Sequence, residues 1–309
     1  MSIWRDVKGA ESSSRQEPAI LTIGNFDGVH RGHRRLLARA ASIGHPLVAM
    51  TFDPHPARVL APDLAPKMLT TVERRIELLK QHGADEVRVL AFDADIASWS
   101  PEEFIDRVLV GELQAKAVVV GENFRFGQRA AGTVETLKAV GADRGFDAEG
   151  IALDRPDGSS DAYCSSLVRD LIAAGQMPEA AAVLGRPHEV SGVVVRGDGR
   201  GKDLGFPTAN VPVDDRFAVP PDGVYAGHIV VDGQRHDAAI SVGTNPTFGG
   251  VGRRVESYVI EPSPDLDLYN REIRIEFVQR IRPMETFDTV AALVAQMHED
   301  VAEARGILA

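Results

Sequence analysis

The sequence predicts an α/β domain built on a doubly wound parallel sheet, followed by an antiparallel β-barrel that ends in one helix. Three observations carry this. Through the first half, short apolar, β-branched runs alternate with helical patterns, and such alternation gives parallel βαβ units. From Ser191 to Gln279 the texture changes to Val/Ile-rich runs punctuated by Gly, Pro, Asp and Asn without a helical stripe, the pattern of an antiparallel barrel. At 309 residues the chain also exceeds one ordinary core. The expected domains are therefore 1–184 and 185–309.

Strands are expected at Ala19–Ile23, Leu47–Phe52, Val87–Phe92, Ala117–Gly121 and Gly150–Leu153. Leu36, Leu37 and Ala40 mark a helix after the first strand, and Val72, Ile76 and Leu79 give the apolar stripe of another. Ser100-Pro101-Glu102-Glu103 reads as a helix start, with Ser at the N-cap, Pro at N1 and Glu103 closing a capping box. Residues 175–185, with a short Ala-rich helical stretch, form the connection. The barrel strands are expected at Val190–Val195, Gly223–Val231, Ala238–Val242, Val255–Ile260 and Ile273–Phe277. A final helix, capped by Asp288 and ended by Gly306, carries the stripe Val290, Leu293, Val294, Met297 and Val301, which should pack on the outside of the barrel.

Acidic residues number 45 against 34 basic ones, which argues against nucleic acid or an anionic membrane as the main partner. One cysteine, Cys164, excludes an intrachain disulfide and a thiolate metal cluster and fits a reducing cytoplasm. No 18-residue apolar run marks a membrane span, and Met1–Pro18 has no apolar core of a leader.

Residues 24–33 read G-N-F-D-G-V-H-R-G-H, directly after the first strand and before a helix. Backbone N–H groups at a helix N-terminus lack intrahelical partners and sit at the positive end of the macrodipole, so a nucleotide phosphate fits there. His30 and His33, three apart, then face the same anion. By composition an H-x-G-H string is expected about 0.02 times in this chain, so chance is a poor account of it. The plainer alternative is a capping histidine beside an exposed one. Two further loops, Thr51-Phe52-Asp53-Pro54-His55-Pro56 and Gly121-Glu122-Asn123-Phe124-Arg125-Phe126-Gly127, also end strands, so three loops converge on one sheet edge. An amide, a guanidinium and two aromatics in the latter suit a planar heterocycle and its phosphate; equally, the Phe residues fit a core. Ser165 and Ser166, opening a helix that carries Arg169, make a pyrophosphate cradle or a serine cap beside a surface arginine.

In the second half, Gly197-Asp198-Gly199-Arg200-Gly201-Lys202 precedes Leu204-Gly205-Phe206-Pro207-Thr208-Ala209-Asn210. Glycines let backbone close over phosphates, and a hydroxyl and an amide carbonyl two residues apart suit Mg²⁺. Composition alone favours a plain turn at Pro207–Asn210.

Taken together, these motifs resemble the bacterial bifunctional riboflavin kinase/FMN adenylyltransferase family (FAD synthetases). The likeness spans nearly the whole chain: G-N-F-D-G-V-H-R-G-H, F-D-P-H-P and G-E-N-F-R-F-G match the first module in order and spacing. L-G-F-P-T-A-N, Asp222-Gly223-Val224-Tyr225, Ser241–Phe248, Val255-Glu256-Ser257-Tyr258 and the helix start at Phe287-Asp288 match the second. Where the family has I-S-S-T-x-x-R, this chain has Tyr163-Cys164-Ser165-Ser166-Leu167-Val168-Arg169; Ser166 keeps the hydroxyl of the family Thr, and Cys164 replaces the first Ser.

The resemblance implies a nucleotidyltransferase domain that makes FAD and pyrophosphate from FMN and ATP, and a kinase barrel that makes FMN and ADP from riboflavin and ATP. In the first, it assigns His30, His33 and Asn123 to catalysis, and Gly24, Asn25, Phe26, Asp27, Ser165, Ser166 and Arg169 to ATP. His55 and Phe126 are assigned to the flavin. In the second, Glu256 is the base that takes the riboflavin 5′-hydroxyl proton, Gly197, Gly201, Lys202, Thr208 and Asn210 hold ATP, Thr208 and Asn210 hold Mg²⁺, and Asn245 contacts flavin. No tightly bound organic cofactor, nucleic acid or membrane partner is implied. Three alternatives stay open on the sequence: one module inactive, a flavin-nucleotide carrier without turnover, and an adenylyltransferase for another phosphate ester such as phosphopantetheine.

Overall fold

In a computed structural model, residues 3–13, 15–152, 163–197, 201, 204–244, 253–263 and 266–309 are described. The chain divides into two compact units, Met1–Pro66 with Thr71–Cys164, and Lys67–Thr70 with Ser165–Ala309. The expected boundary lies twenty residues after this division, and the helices at 165–173 and 177–184 are grouped with the barrel.

The first unit holds a five-stranded sheet in the order β3-β2-β1-β4-β5, with β1 Ala19–Ile23, β2 Leu47–Phe52, β3 Glu86–Leu90, β4 Ala115–Gly121 and β5 Asp147–Ile151. Every pairing is parallel. Strand side chains alternate between faces, and both faces are covered: Leu21, Ile23, Val48, Met50, Val118 and Val120 enter one core, and Ile20, Leu47, Ala49, Ala117 and Val119 the other. Helices α1 (Arg31–Ile43) and α3 (Val72–Gln81) close the second face, through Leu37, Ala40, Ile76, Leu78 and Leu79. The short α2 (Pro56–Leu60) lies between them in sequence, and α4 (Ala94–Ser98) precedes α5 (Pro101–Phe104). Ser100 caps α5 by accepting from the Glu103 N–H at 3.1 Å, and α5 continues as a π-helix through Glu112. A capping box does form at Thr133/Thr136, opening α6 (Val134–Arg144). Because β1 lies between β2 and β4, the strand order reverses beside it, and the loops after β1 and β4 flank the crevice where doubly wound sheets bind ligands.

In the second unit, α7 (Ser165–Ala173) and α8 (Met177–Leu184) precede a six-stranded antiparallel sheet of order β6-β11-β8-β9-β10-β7. Its strands are β6 His188–Val193, β7 Thr208–Pro212, β8 Gly223–Val231, β9 Gln234–Thr244, β10 Arg253–Val259 and β11 Glu272–Pro283. The edge strands approach each other at an isolated bridge, where the Val195 N–H donates to the Asn210 carbonyl at 2.9 Å, so the sheet curls into a barrel. Gly192 allows that approach, since a Cβ there would lie 2.5 Å from Val211 Cγ1. Helix α9 (Val290–Leu308) packs on the outer face, with Ala304 against Ala226, Ala239 and Ile260 and with Val301 beside them.

Three local expectations are corrected. Thr208–Pro212 is a strand paired with β10, not a turn, because Ala209 and Val211 are buried and supply the alternation of a sheet. The N-cap of α9 is Thr289, whose hydroxyl accepts from the Ala292 N–H at 3.1 Å, not Asp288. The helix also runs through Gly306 to Leu308, where Ile307 and Leu308 join the apolar contact with the barrel.

A Cβ on Gly227 would lie 2.0 Å from the Glu276 carbonyl oxygen and 2.5 Å from Ile240 Cδ1. Gly227→Ala should therefore destabilise the barrel by about 1–3 kcal/mol, the usual cost of overpacking, and lower the midpoint of its thermal unfolding measured by circular dichroism.

Candidate active sites

The turn after β1 is unusual in its backbone. Phe26, Gly28 and Val29 have φ of 48°, 81° and 41°. Left-handed geometry suits glycine, but for a bulky or β-branched residue it is rare and has to be enforced by surroundings. Here Phe26 and Val29 are both fully buried in the core against α1, and the Val29 N–H closes the turn on the Phe26 carbonyl at 3.0 Å. A turn that mixes left-handed with ordinary residues gathers N–H groups into an anion-binding concavity. Helix α1 starts directly afterwards, adding its own N-terminal N–H groups.

His30 is the N-cap residue of α1, but its side chain makes no capping hydrogen bond. Instead its ring stacks on that of His33, with centroids 3.6 Å apart and planes at 25°, and Phe26 meets His33 edge-on at 5.2 Å. Gly32 makes room for this: a Cβ there would lie 3.1 Å from the His30 ring and 3.2 Å from the Tyr163 carbonyl oxygen. Burial holds the His33 pKa well below its ordinary value, helped by the positive charge of His30 and of Arg75. His33 is therefore a neutral imidazole with one N–H to give. Its Nδ1 is buried and has no hydrogen-bond partner among the described residues. The plain capping reading of the pair fails on this geometry.

Beside this turn, Asn123 is exposed in the loop after β4, across the crevice from the β1 turn. Phe126 is buried in the core, stacked on Phe124 at 5.6 Å and tilted against Phe104, while Phe124 remains half-exposed above it. Between the two rings, Phe124 is the one with surface to offer a ligand, and Phe126 supports it. His55 is the N-cap of α2, with Nδ1 accepting from the Ala57 N–H at 3.1 Å. Ser165 and Ser166 are the first two residues of α7, and Arg169 follows one turn later. Arg169 Nε donates to the Lys67 carbonyl at 2.5 Å, which ties the 67–70 segment to α7 in the second unit.

On the barrel, β10 runs between β7 and β9, and its register places Glu256 directly between Asn210 and Ser241. Such cross-strand neighbours have Cβ atoms about 5 Å apart on one face. That face is the outer one, since Tyr258 and Ala239, two residues along, contact the α9 cluster, whereas Val255, Ser257 and Val211 are fully buried on the other side. Asn210 Nδ2 donates to Thr208 Oγ1 at 3.2 Å and to the Thr208 carbonyl at 3.1 Å, so the two side chains form one polar unit beside Glu256. Phe206 fixes the start of β7, edge-on to Tyr258 at 5.1 Å and to His298 of α9 at 4.9 Å.

In the preceding loop, Gly197 and Gly201 are required by space. A Cβ on Gly197 would lie 2.7 Å from the Asn210 amide, and one on Gly201 would lie 2.5 Å from the Phe206 carbonyl oxygen. Lys202 and Asn245 lie outside the described residues. The D-G-V-Y motif is structural: Arg253 pairs with Asp222 and with the carbonyls of Val219 and Pro220, and the Tyr225 hydroxyl donates to the Pro221 carbonyl at 2.5 Å. Ser241 was not singled out as a site residue, because only the strand register reveals it as the neighbour of Glu256.

Residues 12–159 match the FAD synthetase family model and residues 184–308 the riboflavin kinase model. The chain belongs to the bifunctional riboflavin kinase/FMN adenylyltransferase family. Relatives of that description are 35% identical in Escherichia coli K12, covering 95% of this chain and 94% of the other, and 36% identical in Pseudomonas fluorescens, covering 94% and 93%. The Bacillus subtilis relative is 34% identical and covers 94% and 92%. A Streptococcus pneumoniae crystal structure described as a macrolide-efflux protein shares the fold, with a TM-score of 0.84, 31% identity and coverage of 94% and 95%. Among the described residues no helix of this chain is long and apolar enough to cross a membrane.

The depressed His33 pKa has a consequence for stability. Below the ordinary imidazole pKa of about 6.5 the unfolded chain binds a proton at His33 that the folded chain does not, so folding stability rises with pH up to about 6.5 and levels off above it. In denaturant titrations from pH 5 to 8, His33→Gln should flatten that rise. The lowered carboxylates Asp85 and Glu86 act at lower pH, whereas His228, lowered chiefly by burial, adds a rise of the same sign in this window, so the flattening is partial.

Proposed function

We propose that this bifunctional riboflavin kinase/FMN adenylyltransferase uses Glu256 as the base of the kinase step and the His30–His33 pair as phosphoryl donors of the adenylyl step. The observation that carries the reading is the stack of two imidazoles on a left-handed turn at a helix N-terminus, with neither ring spent on capping.

In the adenylyl step an FMN phosphate oxygen attacks the α-phosphorus of ATP, a new P–O bond forms, and the bond to the β-phosphate bridge oxygen breaks, releasing pyrophosphate. No covalent enzyme intermediate is needed, so the work is alignment and stabilisation of charge on the phosphoryl oxygens. His30 and His33 donate to those oxygens, with the N–H groups of Gly24–Asp27 beside them and Asn123 positioning the reacting phosphates. Ser165, Ser166 and Arg169, at the start of α7, are the groups assigned to the β- and γ-phosphates. His55 and the Phe124/Phe126 pair lie on the flavin side.

In the kinase step Glu256 accepts the proton of the riboflavin 5′-hydroxyl as its oxygen takes the γ-phosphoryl group and ADP leaves. Asn210 and Ser241 flank the carboxylate on the neighbouring strands. Thr208 and Asn210 offer the oxygen donors that Mg²⁺ prefers, few from protein and the rest from nucleotide; Asn210 Nδ2 donates to Thr208 Oγ1 at 3.2 Å, and the Thr hydroxyl and the Asn amide oxygen would be the atoms that hold the ion. Bound there, the ion supplies charge neutralisation on the ATP phosphates. Gly197, Gly201 and Lys202 close over those phosphates, and Asn245 contacts the flavin. ATP as co-substrate and the lone cysteine support a cytoplasmic setting.

Replacing both His30 and His33 by Ala should abolish FAD formation from FMN in an endpoint assay while riboflavin phosphorylation continues, since loss of one such donor typically costs about 10²–10³ in rate. Equal loss of both activities in a folded variant speaks against separate sites.

Glu256→Gln keeps shape and hydrogen bonding but cannot take the proton. It should bind riboflavin and ATP, phosphorylate at least about 10²-fold more slowly, and still convert supplied FMN to FAD. An unaltered phosphorylation rate rejects Glu256 as the base. Binding without any FMN production by the unsubstituted protein favours a carrier.

A further inference from the structure

Arg75 is the bulkiest fully buried side chain among the described residues, only 1% exposed, and the two catalytic steps leave it without a role. It projects from α3 toward the C-terminal end of β2, where Nη1 donates to Thr51 Oγ1 at 3.0 Å and to the Phe52 carbonyl at 3.1 Å. The Thr51 hydroxyl, itself fully buried, donates to the Asn25 carbonyl at 2.9 Å. A hydroxyl has one hydrogen, so an N–H arriving on its lone pair directs that hydrogen to the remaining acceptor. Burying a guanidinium is costly, and an apolar side chain in its place would spare that cost. What the charge and the fork supply must then lie in what they hold.

They hold the first peptide of the left-handed turn. The Asn25–Phe26 peptide is trans, so fixing its carbonyl toward Thr51 sends the Phe26 N–H the opposite way. Phe26 is the first residue of that turn with positive φ, and its conformation persists only if neighbouring structure enforces it. Burial chiefly keeps the His33 ring neutral, and the charge of His30 at the helix N-cap and then that of this guanidinium add to it.

We propose that Arg75 and Thr51 are positioning residues for adenylyl transfer, a buried brace that locks the Asn25 carbonyl inward and so presents the phosphate-binding face of the turn. The inference rests on the reading of His30 and His33 as the adenylyl site. Neither Arg75 nor Thr51 touches substrate.

Thr51→Val removes only the hydroxyl, Arg75→Met removes charge and fork, and Arg75→Lys keeps the charge without the fork. Each is assayed as full-length protein for kcat and KM in FAD formation from FMN and ATP, with folding checked by circular dichroism and the His33 ring followed by NMR across pH. Thr51→Val should lower kcat at least about tenfold, as expected for a small displacement of reacting groups, without moving the His33 titration. Arg75→Met should lower kcat similarly and raise the His33 titration midpoint; Arg75→Lys should leave the midpoint low and recover only part of kcat. A folded Thr51→Val with unchanged kcat overturns the brace, as does a rate loss no greater than the loss of folded protein. If Arg75→Met does not fold, Thr51→Val decides alone. Should the His30/His33 double variant, folded, still make FAD, the site reading fails; should it lose activity while the brace variants keep theirs, only the brace fails.

Discussion

The burial of Phe26 and Val29 is the constraint on which the first domain's chemistry depends. Two large apolar side chains are drawn into the core between the sheet and α1, and the backbone between β1 and α1 reaches that arrangement only by turning left-handed at residues that dislike it. Everything phosphate-directed follows from the turn: N–H groups gathered on one side, a helix starting at Arg31, and His30 and His33 stacked at that start. Core packing thus offsets the strain of a binding loop. Stabilising the loop with glycine would remove the strain and also the packing that aims it.

On the proposed reading, the two domains meet nucleotide phosphates by different physical means. In the first, the sheet order reverses at β1, and a helix N-terminus carries the neutral ring of His33 stacked on His30. Among the described residues, the face of the kinase barrel around Glu256 is built from strands. It uses instead the strict period of a strand: Glu256 projects outward because Val255 and Ser257 project inward, and its neighbours Asn210 and Ser241 are fixed by register. A one-residue slip of β10 would exchange the carboxylate for buried apolar groups. Gly192 and Gly227, where backbone and side chains crowd closest, are what let the barrel curl tightly enough to hold that register.

Much of this was legible in the sequence. β8 runs from Gly223 to Val231 as read, and the parallel sheet, the barrel and the outer position of the terminal helix follow from periodicity alone. What the sequence hides is long-range or conformational. β7 reads as a turn because Pro207, Thr208 and Asn210 outweigh the two small inward residues Ala209 and Val211, and pairing with β10 overrides that local preference. Thr289 takes the cap of α9 from Asp288 by one residue, a shift within the usual uncertainty of helix ends. Arg75 carries no local motif, Ser241 and Thr51 only open segments whose other residues draw the eye, and the bearing of all three on the sites comes from partners 15 or more residues away.

His33 shows why composition and spacing stop short of mechanism. The H-x-G-H pattern places two imidazoles on one helix start, and on that basis either could be charged or neutral at physiological pH. The fold decides, by packing the ring between Phe26 and His30 and by running a permanent cation, Arg75, close enough to repel a second one. A neutral imidazole does not attract a polyphosphate by charge, so it adds little to ground-state binding. As the proposed donor, its N–H would gain strength as negative charge builds on the phosphoryl oxygens, which confines such a contribution largely to the transition state, where it raises the rate rather than the affinity.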